Sequence, residues 1–322
     1  MKIHFTNPQM KKTIIVALSL ILLFSCQSQE TKNQLSAHEG KIQVEGGEIW
    51  YKVMGEGENT PILTLHGGPG GTHRYFYQLS PQNKDRKVIL FDQLGGGRSD
   101  YHTDTTLMTV DHFVQQVKAL KDSLELDDFY LLGHSWGGAL AVEYYLQYPE
   151  GIKGMILSSP LISTPRWEAD ADTLIKSLPD DMQAIINEAN ETGEYNTEDY
   201  QKADAYYWSQ FGLRTAKKAH PLDTVEVSGN GVIYNYMWGP SEFRCTGTLK
   251  DFDRTESLSK IEVPTLFVTG EYDEARPKTV EYFSTLTPNA TFKVVEGAGH
   301  STLHDNQEGY NQILSNFLKS IH

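Results

Sequence analysis

The sequence predicts an α/β protein with a mainly parallel central sheet, helices on both faces and a helical cap inserted before the last strands. Apolar runs such as PILTLHGG and KVILFDQLGGG lack polar alternation and end in glycine-rich turns, which is typical of strands buried on both faces. These runs alternate with segments of helical spacing, as in layered α/β folds. The alternation stops after IKGMILSSP and resumes at Pro264, which indicates an insertion.

The elements follow from local patterns in chain order. The segment KIQVEGGEIWYKVMGEG alternates and turns at Gly46 and Gly47, which predicts a β-hairpin. Apolar residues at helical spacing predict a helix over 110–126, with Thr109 as its N-cap. FYLLGHSWGG is a buried strand that leads into the helix ALAVEYYLQYPE. A last helix is predicted over 306–321.

These elements divide the chain into four parts. Residues 40–160 and 256–322 form the predicted α/β core. Residues 161–255 are rich in Asp, Glu, Tyr and Trp and form the predicted helical cap. Since ligands of open α/β sheets bind at the carboxyl edge of the strands, the cap is expected to cover that edge. Residues 1–25 are a predicted signal peptide of lipoprotein type, and residues 26–39 a flexible tether.

The N-terminal segment indicates export. Two lysines precede TIIVALSLILLFSC, an apolar run too short to span a bilayer comfortably. LFSC resembles a bacterial lipobox in which Cys26 would be lipidated, although Phe24 departs from the usual small or aliphatic residue. We therefore expect a membrane-anchored lipoprotein, with a periplasmic protein released by ordinary signal peptidase as the alternative. The membrane would be reached only through this anchor.

Charge and composition exclude several classes of partner. The formal net charge of −14 argues against nucleic acid, whose phosphates would be repelled. The sequence has no metal-binding cluster, and QLGGGRS lacks the lysine and spacing of a phosphate-binding loop, so no cofactor is predicted. Cys245 is the one cysteine left after Cys26 and is predicted to be a small buried residue. No pattern in the chain indicates an oligomeric state.

The segment GHSWGG carries the strongest chemical signal. It contains G-x-S-x-G between a predicted strand and a predicted helix, the context in which this motif presents a nucleophile. Gly133 and Gly137 allow the sharp turn, and Ser135 would stand at the helix N-terminus, where negative charge is favoured. The alternative is a tight turn with an incidental serine.

A nucleophilic serine needs a base, and the base needs an acid that orients it. In this strand-turn-helix context the order along the chain is Ser, acid, His. Asp273 follows one predicted strand and His300 follows the next, so both match in order and placement. His304 competes with His300, but it lies one helical turn further on and is expected to be a surface or supporting residue.

The third part of the machinery is a pair of backbone donors for an oxyanion. LHGGPGG follows a strand, and its glycines let backbone N–H groups approach a ligand. We expect the amides of Gly68 and Trp136 to be the two donors.

Six segments together resemble the proline iminopeptidase family of α/β-hydrolases: HGGPGG, FDQLGGGRSD, GHSWGG, MWGPSEF, GEYDEARP and GAGHSTLHDN. The resemblance spans roughly residues 40–320. It implies the α/β-hydrolase fold and a serine aminopeptidase that releases an N-terminal residue, often proline, from small peptides with a free N-terminus. In that family, glutamates near the active site hold the α-amino group, and the matching positions are Glu242 in the cap and Glu274 beside Asp273.

Elementary electrostatics supports this role for the two glutamates. An α-amino group is largely cationic at neutral pH, and two carboxylates in a partly dry pocket bind it far better than exposed ones. The alternatives are a solvated Glu274, or one paired with Arg276, and a Glu242 on the cap surface. Candidates for an apolar pocket that would take a proline ring are aromatic residues, each of which could equally be ordinary core: Trp136, Phe211, Tyr236 and Trp238.

Two other functions compete with the aminopeptidase. A serine esterase or lipase-like hydrolase of small acyl esters would share the same three catalytic residues, but a neutral ester needs neither Glu242 nor Glu274. A non-enzymatic surface lipoprotein that kept the fold for binding would have no use for Ser135, Asp273 and His300 together.

Overall fold

The computed structural model describes residue 35 and residues 37–216, 220–224 and 226–321. The predicted signal peptide, Cys26 and most of the predicted tether lie outside the described residues. Within these ranges, no helix is both long and apolar enough to cross a membrane.

The described residues form an eight-stranded sheet, as the runs of apolar residues predict. The strands are β1 (His38–Val44), β2 (Gly47–Met54), β3 (Asn59–Leu65), β4 (Arg86–Phe91), β5 (Phe129–His134), β6 (Ile152–Ser158), β7 (Thr265–Gly270) and β8 (Ala290–Val295).

The sheet has the order β1-β2-β4-β3-β5-β6-β7-β8 and is mainly parallel. Only β1 with β2 and β2 with β4 pair antiparallel, whereas each pair from β4 to β8 is parallel. The predicted hairpin is confirmed, with Val44 opposite Gly47. Strand β1 begins at His38, two residues before the predicted start of the core. Strands β4 and β5 are buried along their whole length, which explains why they show no polar alternation.

The α-helices are α1 (Val110–Ser123), α2 (Trp136–Gln147), α3 (Thr164–Ile175), α4 (Asp180–Thr192), α5 (Glu198–Tyr207), α6 (Gly231–Met237), α7 (Pro277–Leu286), α8 (Thr302–Asp305) and α9 (Gln307–Ser320). Short 3₁₀ segments lie at His73–Lys84, Thr105–Leu107 and Glu256–Lys260, and a π-helical turn lies at Trp208–Gly212. The predicted N-cap of α1 is confirmed, because the Thr109 hydroxyl accepts a hydrogen bond from the His112 amide at 3.2 Å.

Helices α3 to α6 lie between β6 and β7 in the chain, where the sequence predicts the helical insertion. This insertion has an apolar cluster of its own, in which Tyr207 and Phe243 pack with ring centroids 4.6 Å apart. A cap with its own core can hold side chains in fixed positions above the sheet. The site described next is formed by residues that follow β3, β5, β7 and β8, together with residues of this cap.

Candidate active site

Ser135 occupies a sharp turn between β5 and α2. Its backbone has φ 57° and ψ −124°, a conformation that a residue with a side chain adopts only when its surroundings enforce it. The turn is held by hydrogen bonds from the Ser135 amide to the Ser158 carbonyl at 3.0 Å and from the Gly138 amide to the Ser135 carbonyl at 2.8 Å. Ser135 itself remains partly exposed between buried neighbours. The fold therefore presents this hydroxyl to a ligand, as the motif predicts.

The glycines of the motif are needed for close packing. A Cβ atom on Gly137 would lie 1.9 Å from the Leu65 carbonyl oxygen, and one on Gly133 would lie 2.1 Å from the Gly137 carbonyl oxygen. Since backbone atoms cannot move aside locally, only glycine fits at both positions. This is the physical reason for the G-x-S-x-G spacing in this chain.

Asp273 and His300 are brought together by the ends of β7 and β8. The Nδ1–H of His300 donates a hydrogen bond to Asp273 Oδ1 at 2.8 Å, and both side chains are almost fully buried. An ionised carboxylate can only accept, so this contact sets the tautomer and leaves Nε2 free to act as a base. His304 lies one helical turn on and packs its ring near Tyr75, with centroids 5.4 Å apart.

Asp273 is held by further donors that the sequence did not reveal. Its carboxylate also accepts from the hydroxyls of Ser159 at 2.5 Å and Thr269 at 2.8 Å, and from the amides of Gly270 at 3.0 Å and Ala275 at 2.8 Å. These hydrogen bonds fix the carboxylate in direction. Ser159 has φ 47° and directly follows β6. Its position at the end of a strand was the only feature of the sequence that could have indicated a role in the site.

The loop that carries His300 is bonded to the cap. The amides of His300 and Ser301 donate to the carbonyls of Phe211 at 2.7 Å and Gly212 at 2.8 Å, which belong to the π-helical turn. Asp305 adds a second link, because its carboxylate accepts from the amides of Thr215 at 2.8 Å and Gly299 at 2.9 Å. Sequence reasoning missed this link, because a π-helical turn has no sequence signature that separates it from an α-helix.

The Nε2 atom of His300 faces a carboxylate rather than the serine hydroxyl. It lies 3.7 Å from Glu274 Oε1, and no hydrogen bond joins it to Ser135 within the described ranges. Contacts of this kind are often long in a ligand-free site and shorten when the substrate binds. The ring of His134, the residue before Ser135, lies 4.8 Å from the ring of His300 between centroids, so the three predicted catalytic residues lie in one region, with Glu274 beside them.

Glu274 is a buried acid without a hydrogen-bond partner. Only 2% of the residue is exposed, and Oε2 has no partner among the described residues. Burial first, and then the negative charges of Glu242 and Asp273, raise the pKa of Glu274 well above its ordinary value. Arg276, the alternative partner considered from the sequence, instead pairs with Asp170 at 3.0 Å. A solvated Glu274 or a Glu274–Arg276 pair is therefore wrong.

Glu242 reaches the same pocket from the cap. Its Oε2 accepts a hydrogen bond from the Tyr234 hydroxyl, and burial raises the pKa of Glu242. The charge of Glu242 in turn raises the pKa of Glu274, which shows that the two carboxyl groups lie close enough to interact. Asp204 on α5 is a third acid near them, which the sequence did not single out. Acids in a dry pocket suit a cation, because it would relieve both burial and mutual repulsion.

The predicted oxyanion donors belong to two segments next to the serine, the glycine turn after β3 and the start of α2. A Cβ on Gly67 would lie 3.0 Å from Ser135 Cβ, which places the glycine turn, and with it Gly68, against the nucleophile. Trp136 is the first residue of α2, so the helix itself offers no acceptor for its amide. The glycine turn and the start of α2 therefore both lie next to the nucleophile.

The aromatic candidates separate into core and pocket residues. The Trp136 ring is fully buried, donates to Gln93 at 3.0 Å and packs on Phe113, so it belongs to the core. Trp238 packs at 6.1 Å against Trp167, whose ring lies edge-on to His300 at 5.5 Å. Of the other two candidates, Phe211 packs against Tyr207, and Tyr236 is 40% exposed. One further ring, that of Trp208, lies 6.2 Å from the His300 ring between centroids.

Cys245 is buried, as the sequence predicts, and burial raises the pKa of its thiol to about 12. Such a thiol is protonated at neutral pH and has no nucleophilic character. Across the described part of the chain, no group of three or more His, Cys, Asp or Glu side chains is arranged to hold a metal ion.

Comparison with known proteins places the chain among hydrolases. Residues 60–307 match the family model of the alpha/beta hydrolase fold. The chain is 43% identical over 286 residues to the proline iminopeptidase of Heyndrickxia coagulans, a match that covers 88% of this chain and 99% of that protein. It is 35% identical over 292 residues to the proline iminopeptidase of Saccharolobus solfataricus, covering 89% and 94%.

A solved structure gives the same result in three dimensions. The crystal structure of proline iminopeptidase from Mycobacterium smegmatis superposes with a TM-score of 0.79 at 27% identity. That match covers 88% of this chain and 98% of the other chain.

Replacement of Glu274 by glutamine should stabilise the ligand-free protein in a pH-dependent way. The folded-state pKa of Glu274 is raised, so the unfolded chain loses this proton at a lower pH than the folded protein does. The destabilisation of the parent protein by Glu274 is therefore absent below the pKa of this residue in the unfolded chain. It grows as the pH rises through the raised pKa of the folded protein. We expect the free energy of unfolding of Glu274→Gln to exceed that of the parent protein by about 1–3 kcal/mol at pH 8, with a smaller difference at pH 5.

Denaturant unfolding at the two pH values measures this difference. The matched control is Glu281→Gln, which makes the same exchange at an exposed position on α7. An equal or smaller stability of Glu274→Gln at pH 8 would contradict the assignment of Glu274 as a buried, unpaired acid.

Proposed function

This chain belongs to the proline iminopeptidase family of α/β-hydrolases, and we propose that it is a serine aminopeptidase that releases an N-terminal residue, most readily proline, from small peptides. Relatives that match nearly their full length carry the name of this activity. The proposal assigns Ser135, Asp273 and His300 to catalysis, Gly68 and Trp136 to the oxyanion, and Glu242 and Glu274 to the substrate amine.

One observation carries the proposal beyond a general serine hydrolase. Glu274 is buried without a hydrogen-bond partner, 3.7 Å from the histidine that would act as base. Leaving a buried carboxyl group unpaired is costly, and proteins retain such groups where a ligand completes the pairing. A cationic α-amino group bound here belongs to the same residue as the scissile carbonyl. Binding of the amine would therefore keep that carbonyl within reach of Ser135.

The first half of the proposed reaction forms an acyl-enzyme. His300 Nε2 takes the proton of Ser135 Oγ while Oγ attacks the carbonyl carbon of the N-terminal residue. The carbonyl oxygen becomes an oxyanion that accepts hydrogen bonds from the amides of Gly68 and Trp136. The C–N bond then breaks, and His300 gives its proton to the leaving nitrogen, so the remainder of the peptide departs with a new amino group.

The second half regenerates the enzyme with water. His300 takes a proton from a water molecule, whose oxygen attacks the acyl carbon, and the same oxyanion forms again. Collapse releases the free amino acid and returns the proton to Ser135 Oγ. Asp273 orients the imidazole throughout, because its remaining donors hold the carboxylate in place while the imidazole is transiently cationic.

The two glutamates account for the restriction to a free N-terminus. An acylated or internal peptide has no charge to offer, so both carboxyl groups would stay buried and unpaired when it binds. The cap supplies Glu242 and therefore ties this selection to the insertion. An esterase of small acyl esters is the second candidate, but it would leave Glu242 and Glu274 without a function.

A panel of four substrates tests the proposal. We expect cleavage of prolyl-p-nitroanilide and slower cleavage of alanyl-p-nitroanilide, with no cleavage of the N-acetylprolyl anilide. Ser135→Ala should lower kcat for the prolyl anilide by about 10⁴-fold or more while the fold is kept. Glu274→Gln should lower kcat/KM for the prolyl anilide by about 10–100-fold, the loss of one charged hydrogen bond, and should spare p-nitrophenyl acetate.

Glu281→Gln, the exposed control on α7, should match the parent protein on every substrate. If p-nitrophenyl acetate alone is cleaved, the esterase is favoured and the role of the glutamates is wrong. Substantial activity in Ser135→Ala would overturn the assignment of the nucleophile.

We also propose that the protein is exported and held on a membrane by a lipid on Cys26. The basic residues, the short apolar run and the LFSC sequence support this. The Heyndrickxia relative is matched almost from end to end yet leaves about an eighth of this chain unmatched, which agrees with an additional segment.

Fractionation of cells that produce the full chain tests the anchor. In detergent phase separation of the membrane fraction, the parent protein should enter the detergent-rich phase. The Cys26→Ser protein should instead be found in the aqueous phase, because it would carry no acyl chains. Cys245→Ser is the matched control, since it removes the other cysteine of the chain. Equal partitioning of Cys26→Ser and the parent protein would contradict a lipid anchor.

A further inference from the structure

A cavity of about 340 Å³ lies beside the nucleophile and shares no residue with the acidic pocket of Glu242 and Glu274. Gly67 of the glycine turn and His134, which precedes Ser135, form its inner wall. Its volume falls within the range of ligand-binding pockets. Because one side of the reacting carbonyl is taken up by the amine and its acids, this cavity is placed to receive the part of the peptide that leaves.

The inner wall of the cavity is built from stacked rings. His134 is buried and stacks on Tyr75 with centroids 4.0 Å apart, and the Tyr75 hydroxyl lies 3.0 Å from the Thr302 hydroxyl. Burial lowers the pKa of His134 well below its ordinary value, so this wall is uncharged at neutral pH. The lining also contains the charged side chains of Arg74 and Asp223.

The outer end carries a guanidinium group that is only partly used. Arg74 Nε and Nη2 donate to the two carboxylate oxygens of Asp223, a bidentate pair in which 28% of the Arg74 side chain stays exposed. Its Nη1 group has no hydrogen-bond partner among the described residues and still offers two N–H donors. His220 lines the same end, where its ring stacks on Tyr77 at 5.5 Å.

We propose that this cavity binds the carboxylate at the C-terminus of a short peptide, with Arg74 as its principal partner. The inference rests on the proposed aminopeptidase function and adds the substrate class to it. A short free peptide has a cationic amino group at one end and a carboxylate at the other. The site offers a matching group to each, the acids Glu242 and Glu274 to the amino group and the Arg74 guanidinium to the carboxylate. A guanidinium is well suited to a carboxylate because its N–H groups match the carboxylate oxygens in geometry.

Asp223 sets the strength of this binding. It orients Arg74, but its negative charge opposes an incoming carboxylate. Removal of either partner should therefore change the recognition of a free C-terminus in opposite directions. A merely structural ion pair would not produce opposite effects.

The experiment compares Pro-Gly and Pro-Gly-Gly with their C-terminal amides, measured as release of free proline, with prolyl-p-nitroanilide as the reference. Since each residue spans about 3.3–3.6 Å, the two lengths place the carboxylate at two depths in the cavity. At one or both lengths, the parent protein should show a KM about 3–10-fold lower for the free acid than for the amide. Arg74→Gln should abolish that difference, and Asp223→Asn should increase it.

Arg98→Gln is the matched control, because Arg98 is also ion-paired, to Glu39, is 32% exposed and does not line the cavity. It should retain the preference of the parent protein for the free acids over the amides. An equal loss for acids and amides in Arg74→Gln would show a structural role only and overturn the subsite. Equal KM values for acid and amide at both lengths in the parent protein would do the same. If the parent protein cleaves no substrate at all, prolyl anilide included, the proposed function fails and this subsite fails with it.

Discussion

The hydrogen bonds at Asp273 are the constraint on which the rest of the site depends. Its carboxylate accepts from two hydroxyls, two amides and His300, so it has no capacity left for a substrate. Its neighbour Glu274 is buried to the same degree and has no hydrogen bond at all among the described residues. Adjacent carboxyl groups thus have opposite properties: one is satisfied by the protein and orients the base, and the other is left for a ligand to satisfy.

The cap is part of this arrangement. It supplies Glu242 and Tyr234 to the acidic pocket, and the carbonyls of Phe211 and Gly212 hold the backbone on either side of His300. A Cβ on Gly299 would lie 2.7 Å from the Phe211 carbonyl oxygen, so the two segments are in tight contact. The acidic pocket and the placement of His300 therefore depend on the same insertion.

The sequence predicted whatever depends on local pattern. Buried strands, the hairpin at Gly46 and Gly47, and the serine turn follow from periodicity and from glycines that leave no room for a side chain. Residues whose role arises from distant contacts were not predictable in this way. Ser159 and Asp305 are ordinary polar residues in the sequence, and only the fold brings them to Asp273 and to the cap. The ring of Trp136 is the opposite case. Its position beside the nucleophile suggested a role in the pocket, but the ring packs in the core.

Burial and mutual repulsion should make the acids of this pocket hold a proton until a substrate amine replaces it. Isothermal titration of the Ser135→Ala protein with prolinamide at pH 6.5 tests this most directly, when it is repeated in two buffers that differ in ionisation enthalpy. At this pH the ligand is already cationic, and burial together with the neighbouring negative charges favours the protonated form of Glu274 by raising its pKa. Binding should release protons, so the measured heat should differ between the buffers, and N-acetylprolinamide should bind much more weakly. Equal heats in both buffers together with equal affinity for the acetylated ligand would contradict this expectation.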